Sequence, residues 1–510
     1  MVKGEGTIFK PTEKLSDNDR ELALKAVIKD GVAAESMTVL SGGVFLVALA
    51  LQLGASNLVV GLLAAIPPLG NLLQIPAIFL VEKVRNRRLI AVVTATISRT
   101  MWLGIAAIPF FVPSKLGLTV LVIVLLARSI VVPFTSVAWN SWIRDLIPPD
   151  RLGSFFARRM RLSVGTGMML SLGAGFFIDR WKGLFPNLGL QGYSILFFLA
   201  SLAGLLGVYF ISGTPEPRMP EVERSKFLAT LVEPFRDQNF RNLIHFSGAW
   251  SFAANLAAPF FTVYMLRRLG FGVSFVILLT VLSQLTHIFF LRIWGIFTDR
   301  TNNKSVLAVS GGIYMLAVLG WTFTTLPEKY FFTIPLLVIL HILMGMSISG
   351  VNLASGNIGF KLAPPGRATA YLATRNMINS LCSAIGPILG GFTADFFSQR
   401  QLSLAVSWSA PGREVSLNTL SLRHWDFFFV SAFIIGLYAI HRLTSIVEEG
   451  DIDEKELLLQ IFSELGRDVK SLSSIGGMRY MTQFVTAPAR YMELKVKEKN
   501  KSKEKKEINE

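Results

Sequence analysis

Between Val32 and Tyr438 the chain alternates long apolar stretches with short polar ones. Each apolar stretch runs about 20 residues or more, enough for a helix to cross a hydrocarbon layer roughly 30 Å thick. The pattern predicts spans at Val32–Leu53, Leu58–Val81, Leu89–Val112, Leu116–Ser141, Leu152–Ile178 and Gln191–Ile211, then at Leu243–Leu269, Val273–Phe297, Val306–Leu326, Phe331–Phe360, Ala368–Asp395 and Trp425–Ile446. An all-α polytopic membrane protein is the expected fold class. Before the first span, Leu22, Ala23, Ala26 and Val27 share one face of a predicted helix over Ser16–Asp30, with Ser16 as its cap, lying along the inner membrane surface. After the eleventh span the period changes. Leu402, Leu404, Val406 and Trp408 alternate with polar residues up to an Ala-Pro-Gly-Arg-Glu turn, and Val415 and Leu417 resume the alternation, which predicts an external β-hairpin over 398–423. In the tail, Leu457, Ile461, Leu465 and Val469 form a helical stripe ahead of a Lys/Glu run expected to be disordered.

The spans fall into two similar halves. Pro148-Pro149, Arg151, Ala157, Arg159, Gly175 and Asp179 recur as Pro364-Pro365, Arg367, Ala373, Arg375, Gly391 and Asp395, at a constant offset of 367 − 151 = 395 − 179 = 216. Ungapped repetition of this length marks an internal duplication. The expected organisation is therefore an N-terminal segment (1–30), a six-helix bundle (31–213), a Pro- and charge-rich linker (214–241), a second six-helix bundle (242–446) and a cytoplasmic tail (447–510). Parallel repeats of six spans are a transporter plan, with the binding site near midplane where the halves meet.

Composition narrows the function classes. With 52% hydrophobic and 16% charged residues the chain needs lipid as part of its solvent. The net charge of +16 does not indicate nucleic acid, because Lys and Arg gather in alternate loops, near Arg20, at Lys83–Arg88, at Arg144–Arg161 and at Arg218–Arg241. That asymmetry is the positive-inside rule, and it places both termini in the cytoplasm. The long polar segment before the first span argues against a cleaved signal peptide. A single cysteine, Cys382, excludes an intrachain disulfide, and five scattered histidines offer no metal-ligand spacing, so neither a metal nor another cofactor is expected. No ATP-binding loop and no nucleophile–base pair is legible, which argues against a primary pump and an enzyme.

Gly295–Ser305 reads G-I-F-T-D-R-T-N-N-K-S and resembles the loop signature of the major facilitator superfamily, with Gly295, Asp299, Arg300 and Lys304 matching and Asn302 and Asn303 in place of the usual glycine and arginine. Its first-half counterpart, Ile78–Arg88, keeps Glu82, Lys83 and Arg87 but lacks both glycines. Arg128 is similar to the family's intramembrane arginine. Ile385–Gly391 resembles its antiporter signature, though here in the eleventh span. The resemblance covers residues 20–446. It implies two pseudo-symmetric six-helix bundles around a central cavity, a path lined by helices one, four, seven and ten, and alternating access. It also implies a cytoplasmic latch in which each loop acid meets the opposite half: Glu82 with Arg367 or Arg375, and Asp299 with Arg151 or Arg159.

Charges within spans are costly, about 2.5 kcal/mol or more, and should face a cavity or each other. Glu35 and Arg128 are the expected coupling pair, whereas Arg99 is expected in a structural ion pair. Asn255, Gln284, His287, Asn352 and Asn379 lie at cavity depth, as substrate contacts or as interhelical glue. Trp139 and Trp142 read as interfacial anchors. The glycines of Gly165–Gly175 and Gly386–Gly391 read as helix-packing faces. The leading expectation is a monomeric secondary transporter of a small organic solute, coupled to protons or another cation, in a bacterial inner membrane. The alternatives are an exporter of amphipathic compounds and a transporter-like receptor signalling through its tail.

Overall fold

The computed structural model describes residues 11–12, 16–148, 151–219, 231–300, 302–325, 329–364, 367–410, 413–423 and 425–448. Among these described residues, twelve helices are long and apolar enough to span a membrane: Asp17–Gln52, Asn57–Val84, Arg87–Phe111, Lys115–Leu146, Leu152–Leu184, Pro186–Ser212, Gln238–Arg268, Val273–Thr298, Asn303–Thr324, Thr333–Leu362, Ala368–Phe397 and Trp425–Leu443. They are numbered here as spans 1 to 12. The predicted tail helix lies outside the described residues.

Span 1 corrects one expectation. The segment from Asp17 is not a separate surface helix but runs unbroken to Ser41, capped by Ser16 accepting from the Asp19 amide, with Ala23, Leu24, Val27 and Asp30 buried. Burial of Asp30 explains the continuity. Its carboxylate meets Arg99 of span 3 at 3.2 Å, and Arg99 also donates to the Gly204 carbonyl of span 6. An ion pair between spans 1 and 3 fixes the apolar face inward rather than along a membrane surface. Arg99 thus has the structural partner its sequence position suggested.

Several spans break near mid-depth. Span 1 is interrupted at Gly42, and Gly43 takes φ +51°, a left-handed conformation open to glycine at little cost. Span 2 breaks after Pro67-Pro68, between Asn71 and Gln74. Span 4 carries Pro133, and span 7 carries Pro259 ahead of a π-helical turn at Tyr264–Arg268. Backbone freed at this depth is tolerated where it is buried in protein or lines a cavity.

The apolar core shows how the halves sit. Call the face bearing the N-terminal end of span 1 the terminal face, and the other the distal face. Toward the distal face one continuous core joins both halves, with Phe45, Leu63, Trp102 and Phe197 from the first and Leu256, Phe260, Trp321 and Phe429 from the second. Toward the terminal face the core divides, one cluster around Trp142 and Ile143 in the first half and one around Trp294 and Phe297 in the second. Among the described residues the core is closed distally and parted at the terminal face.

Distal closure rests on backbone-level approach of spans 2 and 11. A Cβ at Gly61 would collide with the Pro387 carbonyl, and one at Gly391 with the Asn57 carbonyl, so glycine is required at both places. The Gly386–Gly391 run therefore packs as its composition implied. Gly295 does not, since a Cβ there would meet nothing within 4 Å. Beyond span 11, strands β1 (Gln401–Ala410) and β2 (Arg413–Arg423) pair antiparallel, with an irregularity at Leu404/Ala405.

Candidate functional site

The helix breaks surround a cavity of about 540 Å³. Its wall includes Gly42 of span 1, Pro67 and Asn71 of span 2, Arg128, Ser129 and Pro133 of span 4, and Pro259 and Thr262 of span 7. Two further cavities adjoin it. One of about 320 Å³ in the second half is lined by Trp250, Asn255, Tyr314, Asn352, Ser355 and Asn379. The other, about 640 Å³, lies between the terminal-side halves of spans 2 and 11 and shares Asn71 with the first and Asn255 and Asn379 with the second. Together they run from the centre toward the terminal face.

The two walls differ chemically. The first half offers Leu46, Val47, Leu63, Ile66, Trp102 and Val132 with one charge, Arg128. The guanidinium lies over the Trp102 ring, 4.7 Å from its centroid, and its buried Nε has no hydrogen-bond partner among the described residues. The second half offers neutral amides. Asn255 donates to the Ser251 carbonyl at 2.8 Å and to Ser383 Oγ at 3.1 Å, tying span 7 to span 11, while Asn379 Oδ1 is buried without a partner among the described residues.

The structure gathers some sequence candidates and disperses others. Arg128, Asn255, Asn352 and Asn379 line the cavities. Gln284 is exposed and His287 half-buried on span 8, and neither lines these walls. Glu35 and Arg128 are not joined in an ion pair here. Glu35 turns instead to span 5, where a Cβ at Gly167 would lie 3.0 Å from Glu35 Cγ, and Arg159 sits in the field of both Glu35 and Asp30. A twist of one helix face, invisible in the linear sequence, separates the two.

Several of the latch residues have partners among the described residues other than the two loop acids. Arg151 meets Glu21 at 3.1 Å and Arg367 meets Glu233 at 2.8 Å. Arg159 lies over Trp139 at 4.8 Å, and Arg375 binds Ser355, so both repeat-related arginines dock on repeat-related positions of spans 4 and 10. Arg87 is fully buried, bonded to Glu216 at 3.0 Å, to the Ser141 carbonyl and to Asp145, which makes it a packing element of the first half. Lys304 receives its order from Glu448, which accepts from its amide at 2.9 Å. Glu82 is exposed, and the side chains of Asp299 and Arg300 lie outside the described residues. Trp142 is likewise no interfacial anchor: it is fully buried and donates to the Pro215 carbonyl at 3.0 Å.

Two acids outside the sequence candidates hold the distal face. Asp179, ending span 5, accepts from the amides of Val273 and Ser274 at 3.0 and 2.8 Å, capping span 8. Asp395, ending span 11, accepts from those of Asn57 and Leu58 at 3.2 and 2.9 Å, capping span 2. Donors and acceptors obey the repeat, 273 − 57 = 274 − 58 = 395 − 179 = 216. The recurrence of both acids at that offset was the available signal.

Twelve spans in two related bundles around a central cavity agree with the comparison to known families. The profile of the Major Facilitator Superfamily matches residues 32–387 and 250–446. The chain belongs to this superfamily. Among solved structures of the superfamily's fold, the nucleoside transporter NupG is 13% identical, with 84% of this chain and 99% of that chain covered at a TM-score of 0.59. The xylose transporter XylE from E. coli is 14% identical, with 84% and 96% covered at 0.57. A bacterial homologue of the lysosomal transporter Spinster is 14% identical, with 85% and 95% covered at 0.56. A comparison with curated proteins found no match. The superfamily chain is a transporter and not an enzyme.

Proposed function

We propose that this transporter moves a small organic solute by alternating access, coupled to protons. The observation that carries the reading is the division of the core: joined at the distal face, parted at the terminal face among the described residues, with the midplane cavity adjoined on that side by the cavity between spans 2 and 11. Such a state is one half of an alternating cycle. The basic loops support a cytoplasmic terminal face, and with it an inward-open state. Glu35 is the proposed proton carrier, one turn from the cavity-lining Thr38, with Arg159 as its compensating charge in this state. Arg128, Asn255, Asn352 and Asn379 are the proposed substrate contacts.

A second reading, export of amphipathic compounds, draws support from the mainly apolar first-half wall and from Trp102, Trp250 and Tyr314. A thermal-shift screen of metabolites and amphipathic drugs, followed by counterflow in proteoliposomes, tests both. The expected result is a stabilising compound that exchanges across the membrane. Stabilising compounds without any exchange, with or without a proton gradient, would overturn the transport reading. For Glu35→Gln the expectation is lost proton-driven accumulation with counterflow retained; full accumulation would remove Glu35 from the coupling step.

A further inference from the structure

Arg128 presents an electrostatic imbalance. An arginine in the middle of a span is costly on insertion scales, and more so where water is excluded. Proteins ordinarily offset this with a carboxylate, as Asp30 does for Arg99. No carboxylate lies within ion-pair distance of Arg128 among the described residues, and none lines any of the three adjoining cavities. Arg128 is also the only Lys, Arg, Asp, Glu or His among the described residues on those walls. The Trp102 face contributes a cation–π interaction, but a ring accepts none of the guanidinium's five N–H bonds in its plane. A planar fork of donors is thus held at the wall of a mainly apolar chamber with no protein acceptor among the described residues.

Building on the proposed transport function, we propose that the substrate class is an amphipathic organic anion. Its oxyanion, a carboxylate, sulfonate or phosphonate, is taken by Arg128, and its apolar body lies against Leu46, Val47, Leu63 and Val132. The other classes fit worse. A cation meets the unpaired positive charge directly. A neutral polyol leaves that charge unpaired and wets an apolar wall. An inorganic anion leaves most of a chamber of about 540 Å³ unfilled, whereas a chamber of that size suits a small organic molecule. Oxyanions match the guanidinium fork in a way that a lysine ammonium does not reproduce. The amides of Asn255 and Asn379 on the facing wall add neutral hydrogen-bonding capacity for the far end of the molecule.

The test uses three probes of one shape and different charge: phenylbutyrate, phenylbutyramide and phenylbutylamine. Binding to the purified full-length protein is measured by calorimetry in detergent. The expected order is phenylbutyrate bound, with the amide and the amine at least about tenfold weaker, as for loss of a charge-assisted hydrogen bond. Arg128→Gln is expected to lower phenylbutyrate affinity about ten- to hundredfold while leaving the amide unchanged, and Arg128→Lys to keep part of it. The comparison within the wild-type protein needs no variant to fold. Equal binding of carboxylate and amide, tighter binding of the amine, no binding of any probe, or Arg128→Gln with unchanged carboxylate affinity would each overturn the proposal. Failure of the transport reading looks different: phenylbutyrate binding through Arg128, with no counterflow of labelled phenylbutyrate in proteoliposomes.

Discussion

At the scale of single residues, the buried pair of Asp30 and Arg99 and Arg128, unpaired among the described residues, place opposite demands on the same bundle. Arg99 and Asp30 are nearly inaccessible, and Arg99 also takes the Gly204 carbonyl at 2.6 Å. Removing one partner leaves the other charge buried, a loss of about 3–5 kcal/mol, whereas replacing both with apolar residues is often close to neutral. Asp30→Asn is therefore expected to lower the thermal midpoint of the detergent-solubilised protein strongly, and Asp30→Leu with Arg99→Met to recover most of the loss. A single variant as stable as the wild type would show that the pair carries no such strain. Arg128→Gln is expected to behave in the opposite sense, with stability unchanged or raised, since it removes a charge that no described group offsets.

At the scale of elements, the distal caps explain why the halves close where they do. Each aspartate is delivered by the C-terminal end of one span to the exposed amides that begin a span of the opposite half. The capping hydrogen bonds and the helix macrodipole act together there, on the order of 1 kcal/mol per cap. Because the contacts cross between halves, they exist only while the distal face is shut. Asp179→Ala and Asp395→Ala should shift the population toward a distally open state, each by about five- to tenfold and the pair by more. Spin labels at Ser56 and Ser398 in a Cys382→Ser background would report this as growth of a longer distance; an unchanged distribution in the double variant would remove the caps from the gate. The hairpin of β1 and β2 belongs to the same face. It leaves span 11 just beyond Asp395 and returns to span 12, so deleting residues 401–420 is expected to alter transport kinetics more than thermal stability, and unaltered uptake by a well-folded deletion would leave it without a transport role.

At the scale of the whole molecule, we propose that the terminal latch and the distal caps are alternatives. In the present state Arg151 meets Glu21, Arg367 meets Glu233, and Glu82 is exposed. Closing that face would bring Glu82 to the start of span 11 and Asp299 to the start of span 5, where helix N-termini and the repeat arginines carry positive charge. A cysteine pair replacing Glu82 and Arg367 in the Cys382→Ser background should cross-link slowly in the wild-type frame and several-fold faster when Asp179→Ala and Asp395→Ala are added. Equal rates would mean that the two gates do not exclude one another.

Hydrophobic period and internal repetition determined the twelve spans, the two bundles and the hairpin, because lipid thickness and backbone hydrogen bonding leave a chain of this composition few other arrangements, while the superfamily was legible in the resemblance of the Gly295–Ser305 loop. Charge cost alone also marked Arg99, Arg128 and Glu35, and spacing placed Asn255, Asn352 and Asn379 at the right depth. What only the tertiary structure decided was direction and pairing. Rotation of span 1 turned Glu35 toward Arg159 and away from Arg128, and continuity of that helix buried Asp30 against Arg99. Packing of spans 2 and 11 converted Asp395 from an ordinary helix end into a cap, and burial made Trp142 and Arg87 part of the core. The physical reason is one of range: periodicity is a local property, set by a few residues and the solvent around them, whereas the partner of a buried charge is chosen by the rotation of whole helices across hundreds of residues of sequence.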